Sequence, residues 1–242
     1  MRGLAAVVRA DAKRITRDPF LLFMIGYPWL LALLLREVLP WLNQRFADRI
    51  ALSDYYPIAA CLVALLVPNV MGIVLGFQLV EEKDEGSLVA VAVTPMSLEQ
   101  YFLYRSTVYA LVSLPLVVAL HELLGVVKLA PGELTLVALV SMPVVPLMAL
   151  VLGSFAGNQV EAFAVAKGSG FLFTGPLAAF FIPRHWDALV GILPTYWPIK
   201  AYYAAAEGSS GWFWTAVVVS LFYCSLCVVL LYRRFRLRAM AG

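Results

Sequence analysis

The sequence predicts an all-α integral membrane protein that crosses the bilayer about six times, and three observations predict it. The first is composition. Of 242 residues, 62% are apolar and only 14% are charged, whereas a soluble domain is nearer half apolar and a quarter charged. With a mean hydropathy of +0.86, the chain has too little polar surface to coat a water-soluble globule. The second is charge spacing. Residues 55–80, 134–160 and 208–232 contain no charged side chain, and each tract exceeds the roughly 20 apolar residues that a spanning helix needs. The third is punctuation. Short turns such as Pro131-Gly132 separate the tracts, and turns this short make successive spans antiparallel neighbours.

Taken in order, the spans are expected at about 20–40, 56–80, 104–126, 134–157, 163–183 and 212–232, within a single transmembrane domain over 1–242. The first run has a basic flank, as a signal peptide does, but Leu39-Pro40-Trp41 is no small-residue cleavage site, so it reads as a retained helix. Ahead of it, residues 2–17 read as an interfacial helix. Leu4, Val7, Val8, Ala12 and Ile15 share one face, while Arg2, Arg9, Lys13 and Arg17 fall away from it. Asp18 is a good N-cap and Pro19 suits the first helical position, so a surface helix meets a spanning helix at a corner.

Placing both termini on one side puts twelve of the 18 Lys and Arg residues there. By the positive-inside rule that side is the cytoplasm. Both ends of this multi-pass chain are therefore expected in the cytoplasm. The net charge of +3 is met by anionic lipid headgroups and needs no nucleic acid. Between the fifth and sixth spans, 187–193 and 198–206 are apolar but too short to cross, and Pro183, Pro194 and Pro198 interrupt them. With Trp186, Tyr196, Trp197, Tyr202 and Tyr203 around them, they read as a re-entrant hairpin of two short helices dipping into the outer leaflet. Cys61, Cys224 and Cys227 all fall in expected spans and read as small apolar side chains.

Residues 81–105 are the most informative connection. Glu81, Glu82, Asp84 and Glu85 sit at the expected cytoplasmic end of the second span. Gly86 breaks the helix, Ser87–Val93 is a short amphipathic stretch, and Thr94-Pro95 ends it. Ser97 and Gln100 have the spacing of a capping box for the next helix. A short helix held crosswise between two long ones can pass force from a partner beneath the membrane.

The run Glu82-Lys83-Asp84-Glu85-Gly86-Ser87-Leu88, then Thr94-Pro95-Met96-Ser97 and Glu99, resembles the E-x-E-x-G-T-L…TP-x-S…E signature of ABC-2 type ABC transporter permeases. The six-span layout, the N-terminal interfacial helix and the hairpin before the last span resemble that family as well. Leu193-Pro194-Thr195 with Pro198 is similar to its small fluoroquinolone-export members. Ser87 replaces the family's usual Thr, and Val89, Ala90 and Val91 replace usually charged positions. The resemblance implies a cytoplasmic coupling helix between the second and third spans, with Glu82, Asp84, Glu85, Gly86, Ser87, Leu88, Thr94, Pro95, Ser97 and Glu99 facing an ATPase subunit. It also implies a second permease copy or a sister permease, because one six-span unit is half a transporter. The substrate path would run along the interface lined by the first, second and fifth spans, where Asn69, Gln78, Phe171, Phe173 and Thr174 are the candidates. The cargo would be a drug, a hydrophobic natural product or a lipid.

No G-x-x-x-x-G-K-[ST] loop occurs, so this chain binds no nucleotide by that device, and ATP and Mg would sit on the partner ATPase. Two other classes compete. Glu81-Glu82 and His121-Glu122 begin like motifs of intramembrane enzymes. However, Gly86 stands where the first needs Arg, and Gly125 where the second needs His. With only two histidines, His121 and His185, the three protein ligands of a catalytic zinc are hard to assemble. An ion-coupled secondary transporter would carry ionisable groups at mid-membrane, and these spans are nearly free of them.

Overall fold

A computed structural model describes residues 2–47, 51–88, 97–178, 180–181 and 186–239, with side chains described from residue 9 to 237 except at 173–178 and 187–188. Among the described residues there are helices and no strands. The helices are α1 (Arg2–Arg17), α2 (Pro19–Phe46), α3 (Tyr56–Asp84), α4 (Leu98–Leu124), α5 (Pro131–Ser141), α6 (Val144–Phe155), α7 (Gln159–Ala178), α8 (Asp187–Val190), α9 (Tyr196–Ala206) and α10 (Ser210–Ala239), with a 3-10 turn at Leu52–Tyr55.

Five stretches are long and apolar enough to cross a membrane: Pro19–Phe46, Leu52–Asp84, Leu98–Leu124, Pro131–Phe155 and Ser210–Leu237. The expected fifth span, 163–183, coincides with α7 through Ala178. The described part of that helix carries Glu161, Lys167 and Gly168-Ser169-Gly170 and is not among those five. The fourth span is not one continuous helix. Pro143 and Pro146 lack backbone N–H groups, and α5 passes into α6 through bonds from Met142 N to Leu139 O and from Val145 N to Met142 O. Of the expected hairpin, α9 is a full helix, but α8 is a single turn, cut short before Gly191 and Pro194. Tyr196, Ile199, Ala201 and Tyr202 of α9 are buried, so it is an internal element and not a surface loop.

The corner between α1 and α2 forms as its sequence dictates. Asp18 has extended backbone angles (φ −98°, ψ 109°), and its Oδ1 accepts from Phe20 N at 2.8 Å and Leu21 N at 3.3 Å. One residue therefore separates the two helices.

α3 is the centre of the bundle and packs against α2, α4, α6, α7 and α9. Its apolar window is 78% buried, against 17% for α2 and 22% for α10. Leu30, Leu33 and Leu34 of α2 and Phe222, Leu226 and Leu230 of α10 are exposed. Such surface faces lipid or another membrane helix. In lipid there is no hydrophobic drive between helices, so association rests on close packing of small residues. Gly72 and Gly76, one turn apart on α3, supply it against α6. A Cβ at Gly72 would lie 2.5 Å from Val145 O and 2.7 Å from Met148 Cβ, and one at Gly76 would lie 2.8 Å from Leu152 Cβ.

Gly72→Ala forces α3 and α6 apart. It should cost about 1–3 kcal/mol, read as a lower melting temperature of the detergent-solubilised protein. Gly26→Ala, where nothing lies within 4 Å of the new Cβ, should leave that temperature unchanged or raise it.

Candidate functional site

The segment singled out in the sequence begins and ends on fixed posts. α3 runs to Asp84 and stops at Gly86, whose φ of +72° lies in the left-handed region that favours glycine. Ser87 Oγ donates to Glu82 O at 3.1 Å and covers a carbonyl of the last turn. At the far end the capping box forms: Gln100 N donates to Ser97 Oγ at 3.1 Å, and Ser97 N to Gln100 Oε1 at 3.2 Å. Asp84, Glu85, Ser87, Ser97 and Glu99 are exposed, whereas Glu82 and Leu88 are buried. Thr94, Pro95 and the crosswise helix expected over Ser87–Val93 lie, beyond Leu88, outside the described residues.

Glu82 turns inward to a buried charge cluster centred on Arg105, which has no exposed side-chain surface. Arg105 Nη1 donates to both Glu82 oxygens at 2.9 and 2.8 Å. Its Nε and Nη2 donate to the two oxygens of Asp11, each at 2.8 Å, and Nη2 also reaches Gln78 Oε1 at 2.7 Å. Tyr101 OH donates to Glu82 Oε2 at 2.9 Å, and Tyr109 OH to Gln78 Oε1 at 2.8 Å. The helical repeat builds this. Gln78 and Glu82 lie four residues apart on α3, and Tyr101, Arg105 and Tyr109 lie at the same spacing on α4, so two facing rows meet. Asp11 enters from α1. Arg14, 3.5 Å from both Glu81 and Glu82, lies at the edge.

A planar fork of five donors suits this task, and Lys could not replace it. Burial pushes the Asp11 carboxyl above its ordinary range, and the Arg105 charge and hydrogen bond bring it back only part of the way. The cluster thus holds two carboxylates against one fully buried cation. A cleft of about 380 Å³ opens beside it, lined by Asp11, Arg14, Glu82, Glu85, Ser87 and Tyr101.

The path candidates do not converge. Gln78 is committed to the cluster through its carbonyl, while its Nε2 has no hydrogen-bond partner among the described residues. Asn69 is buried in α3 with Oδ1 unpartnered. Phe171 is exposed on α7, and the side chains of Phe173 and Thr174 are outside those described. Sequence reasoning missed Arg105, which it read only as an orientation charge, and Asp11. The missed signal was there: Asp11 is the sole acid of α1, and it falls between Val7, Val8 and Ile15 on the apolar face.

A helical bundle of this kind, with a charged segment rooted between two spans, defines a multi-pass membrane protein. The chain belongs to the family described as fluoroquinolones export permease protein Rv2686c-like, whose family model matches residues 11–232. Two similar relatives are the fluoroquinolones export permease proteins MT2760 of Mycobacterium tuberculosis strain CDC 1551 / Oshkosh and Rv2686c of strain ATCC 25618 / H37Rv. Each is 30% identical over 245 residues, which cover 97% of this chain and 94% of the relative. Family membership bears out the ABC-2 permease resemblance and identifies a transport subunit rather than an enzyme.

Arg105→Met leaves two buried carboxylates with only Arg14, at the edge of the cluster, to compensate them, and should cost about 3–5 kcal/mol, seen as a large fall in melting temperature. Neutralising Asp11→Asn and Glu82→Gln in the same chain should recover much of it. Without Arg105, Asp11 sits further above its unfolded-state value. A carboxyl raised in the folded state binds its proton more readily there, so the single variant should regain stability as the pH falls.

Proposed function

We propose that this chain is the membrane-spanning subunit of an ATP-driven ABC-2 exporter that moves drug-like molecules out of the cell by alternating access. The observation that carries this is the segment from Glu82 to Glu99, which resembles the family's coupling signature and is anchored at one end by Glu82 in the buried cluster and at the other by the Ser97 cap. Fluoroquinolones, named for the relatives, are the first cargo to test. Hydrophobic natural products and lipids come next.

In this reading α7 completes a set of six spans, and both termini lie in the cytoplasm at the plasma membrane. ATP and Mg are held by a separate ATPase chain. Two permease units, identical or sister, enclose the path, with Asn69, Phe171, Phe173 and Thr174 along it. Closure of the ATPase dimer pushes on Asp84, Glu85, Gly86, Ser87, Leu88, Thr94, Pro95, Ser97 and Glu99. Glu82 passes the push inward.

A second reading, ion-coupled secondary transport, is favoured by one observation: the excess of buried carboxylates around Arg105, which offers a place for a proton.

The test replaces the two exposed acids together, Asp84→Ala with Glu85→Ala, in the permease reconstituted with its ATPase. Drug moved per ATP hydrolysed should fall roughly tenfold, within the range by which mutations along a transmission route alter coupling. An unchanged ratio would falsify the coupling assignment.

A further inference from the structure

The first span is the least embedded part of the bundle. Only 17% of its apolar window is buried, and the exposed Leu22, Phe23, Leu30, Leu33 and Leu34 leave a long face of α2 uncovered among the described residues. Besides packing on α3 and α4, it is tied to α1 at its N-terminal end. There a single residue, Asp18, joins it to α1. Asp18 N is bonded to Arg14 O at 3.1 Å, Leu22 N to Asp18 O at 3.0 Å, and the Asp18 side chain caps α2. The backbone bonds of α1 and those of α2 thus meet on one residue, which leaves little freedom for the two helices to pivot independently.

α1 in turn is fixed to the roots of α3 and α4 by the Arg105 fork. Asp11 takes two of the guanidinium's N–H groups at 2.8 Å, and Glu82 takes another. Ile15 packs against the core. A buried fork that binds two carboxylates from two helices tolerates little displacement, because any shift exposes an uncompensated ion in a medium that solvates ions poorly.

We infer that Arg105 is a positioning residue for transport, holding α1 to the roots of α3 and α4 so that α1 acts as a lever, moving with residues 82–97 and turning the first span. This rests on the coupling role proposed above. It adds a route: segment 82–97, Glu82, Arg105, Asp11, α1, the Asp18 corner, α2. The first span is then driven from its end as well as through its packing on α3 and α4.

The test uses the full permease with its ATPase in proteoliposomes, with spin labels at exposed Lys13 of α1 and exposed Leu103 of α4. In the parent chain the label distance should be narrow and the same with and without trapped nucleotide. Asp11→Asn should broaden it and lower transport per ATP roughly tenfold, whereas Asp11→Glu, which keeps the charge, should restore most of both. Arg105→Lys, which keeps the charge but loses the fork, should give an intermediate loss of about threefold. It also stands in if Asp11→Asn fails to fold. The inference is overturned if the distance broadens with no change in transport per ATP, or if neither readout moves. If Asp84→Ala with Glu85→Ala uncouples transport but the Asp11 and Arg105 variants do not, only the lever fails. If Asp84→Ala with Glu85→Ala leaves coupling intact, the coupling reading itself has failed.

Discussion

Arg105 carries its charge with no exposed surface, and it does so because two carboxylates from two other helices reach it. Desolvating an ion costs several kcal/mol, and only a well-formed set of partners offsets this. Here the fork geometry of the guanidinium uses nearly all its donors, and Tyr101 and Tyr109 satisfy the remaining lone pairs nearby. Each member becomes costly once another is removed, so the relative placement of α1, α3 and α4 is specified far more sharply than apolar packing would specify it. The two ends of the segment between α3 and α4 inherit that precision, one at a helix end held by Glu82 and the other at a helix start held by Ser97.

The rest of the bundle follows from lipid as solvent. Three serines within the spans are satisfied locally: Ser113 Oγ bonds to Ala110 O, Ser141 Oγ to Ala138 O and Ser106 Oγ to Leu103 O, the back-bonding that lets hydroxyls sit in helices away from water. Close approach is made by Gly72 and Gly76 under α6. Further polar links lie at the opposite end of α4, where His121 Nδ1 meets Tyr202 OH at 3.1 Å and Arg36 Nη1 donates to Leu123 O at 3.4 Å. The result is a well-packed middle around α3 with α2 and α10 left on the outside.

Much of this was legible in the sequence. Charge-free tracts located five helices, Asp18-Pro19 located the corner, and Ser97 with Gln100 located a cap, because each depends on neighbours in sequence. What escaped depends on neighbours in space. Arg105 looks like any basic loop residue until α1 and α3 are placed beside it. Gln78 reads as a polar residue free to line a path, but its carbonyl is taken by Arg105 and Tyr109. Glu82 belongs to an acidic run whose other members, Asp84 and Glu85, are exposed, and only the helical phase of α3 separates it from them. The break at Met142-Pro143 was visible as composition but not as geometry, since a proline in a span kinks or splits it according to what packs beside it.

The central claim is that this permease moves cargo by drawing on ATP hydrolysed by a partner chain. The direct measurement is uptake of a fluoroquinolone into proteoliposomes holding the permease, with and without an added P-loop ATPase tested as its partner, with ATP supplied on the ATPase side and ion gradients collapsed. The account predicts uptake that requires both the ATPase and ATP and survives collapse of the gradients. Uptake by the permease alone, driven by a proton or sodium gradient and indifferent to ATP, would contradict it.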